Sequence, residues 1–527
     1  MIPARTLAAV ALFVVALGLA LPLRFAGLEA RPMHTDEAVH GMKLGALLET
    51  GRWEYDPYEY HGPTLPYSGL LAARISGDES TVDLSRTTLR ATVAVYGILL
   101  ILLLVLVADG IGLLGIGIAA LLTAVSPMLV YYSRYFIMEI PFVVFTFGIM
   151  ACGWRYFLSR RAGWAVAAGA FAGLTFATKE TCIITFFALA CAGAATYLID
   201  HFAQGDRMVI DRRRRPPWRP AHLVAAAGTA LLVGATLFTS FFTHWRGLVD
   251  SILTYQVYFS RAGGGGHEHP WGYYLKLLVG GKDGGFVWPE AVVLVLAAVG
   301  LVAAFASRQG RGRPLHFVRF VAIYSLVTLV VYSSLSYKTP WTILSFFHGA
   351  VILAGFGAAW LLTGIRSKVA RVGLAALMVA GVWHLARQSY YGNFRFFAHE
   401  RNPYVYAHTA PDFENVVKRI RQLEALKPAG EDPLTIQVAH PEFGWPLPWS
   451  LRGFPTVGFQ QEIPEGVASA DIIVLEAGEA VGFAPTVAES HVKDGPYGLR
   501  PDSLLTLFIR RELWDTFIEL QSRKSGS

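Results

Sequence analysis

Two adjacent apolar runs decide the fold class: residues 90–131 read RATVAVYGILLILLLVLVADGIGLLGIGIAALLTAVSPMLVY. Arg90 and Asp109 are the only charged residues in this stretch, so apolar runs remain at 90–108 and 112–131. Roughly 20 apolar residues in a helix span the hydrocarbon core of a bilayer. The stretch therefore predicts two membrane-spanning helices joined by a short turn.

Comparable runs recur along the first 390 residues. They predict about eleven helices, at 6–23, 90–108, 112–131, 140–158, 163–178, 181–199, 222–243, 288–306, 318–336, 343–363 and 372–389. Of the 527 residues, 54% are apolar or aromatic and 16% are charged, whereas a soluble domain carries about 25% charged residues. The composition excludes an ordinary soluble enzyme and predicts a polytopic α-helical membrane protein. We interpret the first run as a retained signal anchor.

Basic residues predict the orientation of these helices. Four loops between the runs are rich in them: Arg155, Arg160 and Arg161; Arg207, Arg212, Arg213, Arg214, Arg215 and Arg219; Arg308, Arg311 and Arg313; and Arg366, Lys368 and Arg371. With eleven crossings, all four loops fall on the side of the N-terminus, which the positive-inside rule places in the cytoplasm. We expect a multi-pass protein of the plasma membrane, in a bacterium the inner membrane, with a periplasmic or extracellular C-terminal domain.

The net charge of +7 does not require nucleic-acid binding. The arginines lie between apolar runs, where topology accounts for them, so no nucleic-acid partner is expected. Binding of anionic lipid headgroups by the arginine run is the alternative. Cys152, Cys182 and Cys191 lie inside apolar runs, which excludes a disulfide framework and a cysteine zinc site.

The end of the chain has a different pattern from the rest. Short β-like runs lie at 434–439 and 471–475, and an amphipathic helix is predicted at 412–426. We therefore divide the chain into a transmembrane domain at 1–390 and a small extracytoplasmic α/β domain at 391–527. The transmembrane domain carries two long extracytoplasmic loops, at 24–89 and 244–287.

The first of these loops opens with an acidic pair, Asp36 and Glu37, within the sequence HTDEAVHG at 34–41. One interpretation is a helix start, with Thr35 as the N-cap and two acids in the first turn. The other is functional, because an acid held at the lipid–water boundary could act as a general base or bind a cation.

Two further segments of the long loops contain histidines and acids. Glu59 and His61 lie in a turn that leads into an apolar helix, where they could face a cavity or simply belong to an interfacial belt. His267 and His269 follow four glycines, and their spacing would let both rings face one divalent metal ion. A flexible, solvated loop is the alternative for this segment.

Charged residues also interrupt the apolar runs on the predicted outer side, where an unpaired charge is costly. They are Arg134 and Glu139, Lys179 and Glu180, and Lys338 between Tyr337 and Trp341. Arg134 and Glu139 could pair with each other, and the lysines could be boundary anchors. Two lysines and an arginine beside carboxylates could instead bind a lipid-linked phosphate.

These motifs resemble the GT-C superfamily of membrane glycosyltransferases, which includes protein O-mannosyltransferases and lipid A aminoarabinose transferases. The Asp36-Glu37 pair is similar to the acidic motif of the superfamily's first loop. Ser133-Arg134-x4-Glu139 is similar to a second-loop motif that ends in Asp. A closer resemblance is to the prokaryotic flippase activity-associated family, through the sequences HTDEAVHG at 34–41, YHGP at 60–63, YKTPW at 337–341 and NPYVYAHT at 402–409.

The resemblance implies a GT-C-like fold and an inverting glycosyltransferase, a hexosyl- or pentosyltransferase of the cell envelope. It would transfer a sugar from a polyprenyl-phosphate donor to a lipid, glycan or protein acceptor. Asp36 and Glu139 are the candidate catalytic residues, with Asp36 as the base. The candidate substrate-binding residues are Glu37, His61, Arg134, Lys179, Glu180, Tyr337, Lys338 and Trp341. A divalent metal ion is the one cofactor implied, with Glu59, His267 and His269 as its candidate ligands.

Two other functions fit the same composition. A transporter or flippase for lipid-linked sugars would also place charges in membrane helices, although we find no pair of matching halves of the kind that transporters often show. A non-catalytic accessory protein would recruit a partner through its C-terminal domain. An oligosaccharyltransferase is disfavoured because the tail lacks a Trp-Trp-Asp signature.

Overall fold

The computed structural model describes residues 4–58, 61–204, 219–261, 268–280, 285–306, 315–428 and 432–525. The α-helices in chain order are α1 Ala4–Phe25, α2 Thr35–Thr50, α3 Thr64–Ser76, α4 Arg86–Leu103, α5 Ala108–Ile111, α6 Leu113–Val125, α7 Pro127–Ser133, α8 Glu139–Ser159, α9 Ala162–Phe176, α10 Cys182–Gln204, α11 Pro220–Phe238, α12 Arg246–Arg261, α13 Tyr273–Val279, α14 Ala291–Ala306, α15 His316–Ser334, α16 Leu344–Gly364, α17 Lys368–Tyr390, α18 Phe413–Glu424, α19 Leu447–Ser450, α20 Ala477–Phe483 and α21 Arg511–Ser525. The strands are β1 Ile436–Ala439, β2 Val457–Gln460, β3 Ile472–Glu476, β4 His491–Arg500 and β5 Ser503–Arg510.

Tertiary contacts divide the chain into two compact units. The membrane unit comprises Met1–Leu28, Thr50–Ser76 and Thr87–Tyr404. The sheet unit comprises Glu29–Glu49, Gly77–Arg86 and Val405–Ser527. Two parts of the long first loop therefore fold with the C-terminal strands, while the sequence-based division at residue 390 stays a prediction.

The membrane unit consists mainly of long apolar helices, which confirms the predicted fold class. Within the described residues, eight helices are long and apolar enough to cross a membrane, or nine if α6 and α7 form one bent span. Two predicted runs correspond to the shorter apolar helices α9 and α14. Each of the eleven predicted runs thus overlaps a helix, and the number of crossings stays a prediction.

The bent span shows how polar backbone groups are satisfied inside this unit. Helices α6 and α7 meet at an angle of 61° beside Ser126 and Pro127. Because proline has no N–H, the break leaves carbonyls at the end of α6 without helical partners. The buried guanidinium of Arg24 donates to the carbonyl oxygens of Thr123 (2.8 Å) and Ala124 (3.0 Å). Arg24 therefore caps α6 from a neighbouring helix.

Glycines allow two pairs of apolar helices to pack closely in the membrane unit. A Cβ atom on Gly169 of α9 would lie 2.1 Å from the carbonyl oxygen of Ala226 in α11, and one on Gly173 would lie 2.5 Å from that of Ala230. A Cβ atom on Gly300 of α14 would lie 2.1 Å from the carbonyl oxygen of Leu353 in α16. Small residues at such spacing are typical of membrane helices that pack backbone to backbone.

The sheet unit contains a five-stranded mixed sheet in the order β2-β1-β3-β5-β4. Strand β1 pairs in parallel with β2 and β3, and β5 pairs antiparallel with β3 and β4. Strands β1 and β3 and helix α18 lie where the sequence predicts them. The apolar face of α18, including Val416, Val417 and Ile420, packs in one core with Ile436 and Val474 of the sheet. This confirms a small C-terminal α/β domain.

The close approach of α9 to α11 gives a test of the membrane unit. We expect Gly169→Ala to lower the melting temperature of the purified protein in detergent, because its methyl group would overlap the Ala226 carbonyl. Gly193→Ala, in span α10, is the matched control, since a Cβ atom there would meet nothing within 4 Å. Equal melting temperatures for the two variants would contradict the packing described.

Candidate functional site

The Asp36 side chain lies at the start of α2 in the sheet unit, and it is 43% exposed. His34 fixes this turn, because its Nδ1 accepts the backbone N–H of Asp36 (3.0 Å) and its Nε2 lies 3.1 Å from the carbonyl oxygen of Tyr406. The hydrogen-bond pattern assigns the proton to Nε2. Burial lowers the pKa of His34 despite the nearby carboxylates of Asp36 and Glu37. A neutral His34 therefore holds Asp36 with its carboxylate facing outward.

Glu37 occupies a different environment from its neighbour. Its carboxylate is buried, accepts the backbone N–H of His34 (3.2 Å) and pairs with Arg31 (3.3 Å). The contact with His34 is the helix-capping half of a capping box. Of the acidic pair, Asp36 is thus the member that is accessible for chemistry, and Glu37 stabilises the helix start.

Arg500, at the end of β4, fixes the same turn from the sheet. Its Nη2 donates to the Thr35 hydroxyl (3.0 Å), and its Nη1 lies 2.5 Å from a carboxylate oxygen of Glu442. Thr35 was expected to be the N-cap, but it is the first residue of α2 and its hydroxyl accepts from Arg500. The C-terminal strands therefore help to position Asp36.

In the membrane unit, Glu139 and Lys179 form a buried ion pair, with Lys179 Nζ 2.7 Å from Glu139 Oε1. Glu139 begins α8, and Lys179 follows α9. The second carboxylate oxygen of Glu139 is buried and has no hydrogen-bond partner among the described residues. A small cleft beside the pair is lined by Trp341, Thr342, Ser345 and Tyr332 among others.

Glu180 forms a second polar cluster next to this pair. Its Oε2 lies 2.6 Å from Nδ1 of His61, and its Oε1 accepts the Tyr55 hydroxyl (3.1 Å). Burial alone would raise the pKa of the Glu180 carboxyl, but the charge and hydrogen bond of His61, with a smaller effect of Lys179, hold it below its usual value. Glu180 is therefore ionised. The His61 ring is 32% exposed, so it connects this buried carboxylate to the surface of the unit.

The remaining candidates of the membrane unit lie in two other places. Lys338 is buried and donates to the carbonyl oxygens of His269 (2.8 Å) and Leu335, and burial lowers its pKa. Its neighbour Tyr337 is half-exposed. Arg134 donates to the carbonyl oxygens of Leu23 (3.0 Å), Arg24 (3.2 Å) and Gly27 (3.2 Å), where it caps the end of α1. The carboxylate of Glu139 therefore pairs with Lys179 and not with Arg134.

Only one of the three predicted metal ligands lies among the described residues. Glu59 and His267 lie outside the described residues, and the ring of His269 stacks on Tyr273 at 4.1 Å between centroids. Within the described ranges, no group of three or more His, Cys, Asp or Glu side chains could hold a metal ion. A metal cofactor stays a prediction.

Tyr55, His34 and Arg500 were not among the predicted site residues. Tyr55 is one of several tyrosines at 55–67, and nothing in the local pattern distinguishes it from the others. Arg500 lies 465 residues from Thr35 along the chain, so no spacing rule could connect them. His34 could have been recognised, because a histidine two residues before an acid at a helix start can accept that residue's N–H.

Comparisons with known proteins agree with this architecture. Residues 46–248 match the family model described as dolichyl-phosphate-mannose-protein mannosyltransferase. The structure is similar to that of ArnT from Cupriavidus metallidurans bound to undecaprenyl phosphate, with a TM-score of 0.66 and 15% sequence identity over 94% of this chain and 97% of that one. This similarity shows a GT-C-like fold.

A second solved structure supports the same assignment. The archaeal oligosaccharyltransferase AglB from Archaeoglobus fulgidus, in complex with an inhibitory peptide and a dolichol-phosphate, aligns with a TM-score of 0.55 and 13% identity over 96% of this chain and 77% of that one. A search of curated proteins by sequence found no match. The superfamily resemblance is confirmed, and the closer resemblance to the flippase activity-associated family stays a prediction.

The buried pair of Glu139 and Lys179 can be tested by a double-mutant cycle. Lys179→Met should lower the free energy of unfolding by about 3–5 kcal/mol, because it leaves a buried carboxylate without its cation. The double variant Lys179→Met/Glu139→Gln should lose less than the two single variants combined. Unfolding of the purified proteins in one detergent measures all four. Additive losses would contradict direct pairing.

The contact of Arg500 with Thr35 predicts a local effect on Asp36. We expect Arg500→Met to increase amide hydrogen exchange in the peptide that contains residues 34–38, because α2 loses a side-chain anchor at its first residue. Arg523→Met is the matched control, since Arg523 pairs with Glu519 in an exposed part of α21. Unchanged exchange at 34–38 in Arg500→Met would show that the sheet does not hold this turn.

Proposed function

We propose that this chain is a membrane glycosyltransferase that moves a sugar from a polyprenyl-phosphate donor to an acceptor outside the cytoplasm. The fold of the GT-C superfamily supports the class of reaction. The observation that carries the proposal is the concentration of charged groups at the ends of apolar helices in the membrane unit: Glu139 with Lys179, and Glu180 with His61.

The donor's phosphate is the part that these groups are suited to bind. Lys179 is held by Glu139 beside a cleft, and His61 is held by an ionised carboxylate with part of its ring exposed. Hydrogen-bond donors preorganised in this way stabilise the charge that develops on a departing phosphate. The proposed role of Lys179 and His61 is to offset that charge, whereas Lys338 is engaged by the carbonyl oxygens of His269 and Leu335. Arg134, Tyr337 and Trp341 would have a structural role in the membrane unit.

The proposed base is Asp36. It would take the proton of the acceptor hydroxyl while the acceptor oxygen attacks the anomeric carbon, with the polyprenyl phosphate as the leaving group and inversion at that carbon. Its exposed carboxylate and its rigid turn support this role, since a general base must reach its proton in a fixed geometry. Glu37 would stabilise the start of α2, which carries Asp36. The carboxylate oxygen of Glu139 that has no partner among the described residues could accept a hydrogen bond from a hydroxyl of the donor or the acceptor.

The test uses the full chain in lipid nanodiscs with a panel of radiolabelled polyprenyl-phosphate sugars and a membrane extract as acceptor source. Wild-type protein should consume at least one donor. Asp36→Asn should bind that donor and reduce its turnover by about 100-fold or more, the range expected for a general base. Asp515→Asn, which changes an exposed acid of α21, is the matched control and should keep wild-type turnover.

The same proteins reconstituted in sealed lipid vesicles, where transport across the bilayer can be measured, separate the alternatives. Transport of an intact donor across the bilayer at equal rates in wild type and Asp36→Asn would identify a flippase and overturn the transferase proposal. Deleting 405–527 does not separate an enzyme from an accessory protein, because those residues also hold the Asp36 turn through Tyr406 and Arg500. Point substitutions are therefore the informative variants.

A further inference from the structure

Helix α12 has its polar and apolar faces reversed relative to a helix on a soluble protein. Its buried positions include Gly247, Asp250, Ser251 and Thr254. Four large apolar side chains are exposed here: Trp245, which immediately precedes the helix, and Val249, Ile252 and Leu253 within it. A surface helix in water shows the opposite arrangement. The exposed face of α12 therefore requires an apolar environment.

The buried polar face is held by specific contacts. The Thr254 hydroxyl donates to the carbonyl oxygen of Pro57 (3.2 Å), while the buried Ser251 hydroxyl is satisfied within the helix by the carbonyl oxygen of Leu248 (2.7 Å). A Cβ atom on Gly247 would lie 2.1 Å from the carbonyl oxygen of Phe238, so the start of α12 packs directly against the end of α11. The contacts with Pro57 and Phe238 hold the polar face of α12 against the protein.

The surroundings of α12 indicate what covers that face. The preceding helix α11 is a candidate membrane span whose side chains Val224 and Leu231 are exposed. Between the two helices, Phe241 and Phe242 are also exposed, next to Trp245. The apolar surface is thus continuous from the span into α12, and aromatic residues mark the junction, as they do at membrane–water interfaces.

We propose that α12 lies in the plane of the membrane surface, with Val249, Ile252 and Leu253 in the lipid and its polar face on the protein. Such interfacial helices combine a strong apolar face with a polar one and need not span the bilayer. The exposed Arg246, which pairs with Asp250, lies at the start of the helix, where its charge can reach the headgroups. This inference does not depend on the proposed reaction.

The position of α12 has a consequence for the polar cluster beside it. Its Tyr255 hydroxyl lies 3.3 Å from Sγ of Cys182, two residues after Glu180, and its Thr254 contacts the segment that carries Tyr55. A helix anchored in the headgroup region would therefore hold the cluster of Glu180, His61 and Tyr55 at the depth where a lipid phosphate lies.

The test compares three spin labels with similar exposure in a Cys191→Ser background, where Cys152 and Cys182 are buried. Ile252→Cys, at a side chain 65% exposed, probes α12. Val224→Cys in α11 and Val481→Cys in the sheet unit, each at a side chain 70% exposed, are the lipid and water references. The measured quantity is the collision rate of each label with oxygen divided by its collision rate with a water-soluble nickel chelate. This ratio should be several-fold higher for the label at position 252 than for the label at 481, and close to that for the label at 224.

Two results would overturn the inference. A ratio at 252 equal to that at 481 would place the apolar face in water. Spin–spin broadening at 252 that disappears on dilution with unlabelled protein would show that a second copy covers the face. Val249→Cys repeats the measurement one turn earlier, so a single label that perturbs its own site cannot decide the outcome.

Discussion

Polar groups inside the membrane unit must find partners within the protein, because the hydrocarbon core offers none. The arginines show this requirement most clearly. Arg24 caps α6 at its break, and Arg134 caps the end of α1 from the segment that follows α7. At the other end of the helices, Asp200 binds both Arg319 (Nη1 to Oδ1, 2.5 Å) and His316. Each of these buried charged side chains binds the end of another helix or an opposite charge on another helix. These bonds fix how the apolar helices pack.

At the candidate site this pairing is incomplete. The carboxylate of Glu139 uses one oxygen for Lys179 and leaves the other buried and without a partner among the described residues. Glu180 is fully engaged, but through a histidine that reaches the surface. A buried polar atom without a partner is destabilising, so its presence beside a cleft favours a ligand that completes it. That oxygen can accept a hydroxyl of the ligand, whereas we propose that the donor's phosphate lies against Lys179 and His61 and that the exposed Asp36 carries the acceptor chemistry.

Much of the fold could be predicted from the sequence because it depends on local patterns. Apolar runs about 20 residues long specify membrane helices wherever they occur, and the strand at Ile472–Glu476 follows from its own composition. The hairpin of β4 and β5 was not predicted, since its first strand carries charges, glycines and a proline. The reversed polarity of α12 was not predicted either, because an amphipathic pattern does not indicate which face turns inward. Candidate site residues could be selected from the sequence, but their pairings could not be predicted: Glu139 and Lys179 are 40 residues apart, and His61 and Glu180 are 119 apart.

Retention of a lipid phosphate by the membrane unit is the central claim of this account, and native mass spectrometry of the protein released from detergent measures it directly. Equal amounts of undecaprenyl phosphate and undecaprenol, which share one tail, would be offered to the full chain. We expect one undecaprenyl phosphate to remain bound to each chain, with little retention of the alcohol. Equal retention of the two lipids, or of neither, would contradict the claim that Lys179 and His61, held by Glu139 and Glu180, bind a phosphate.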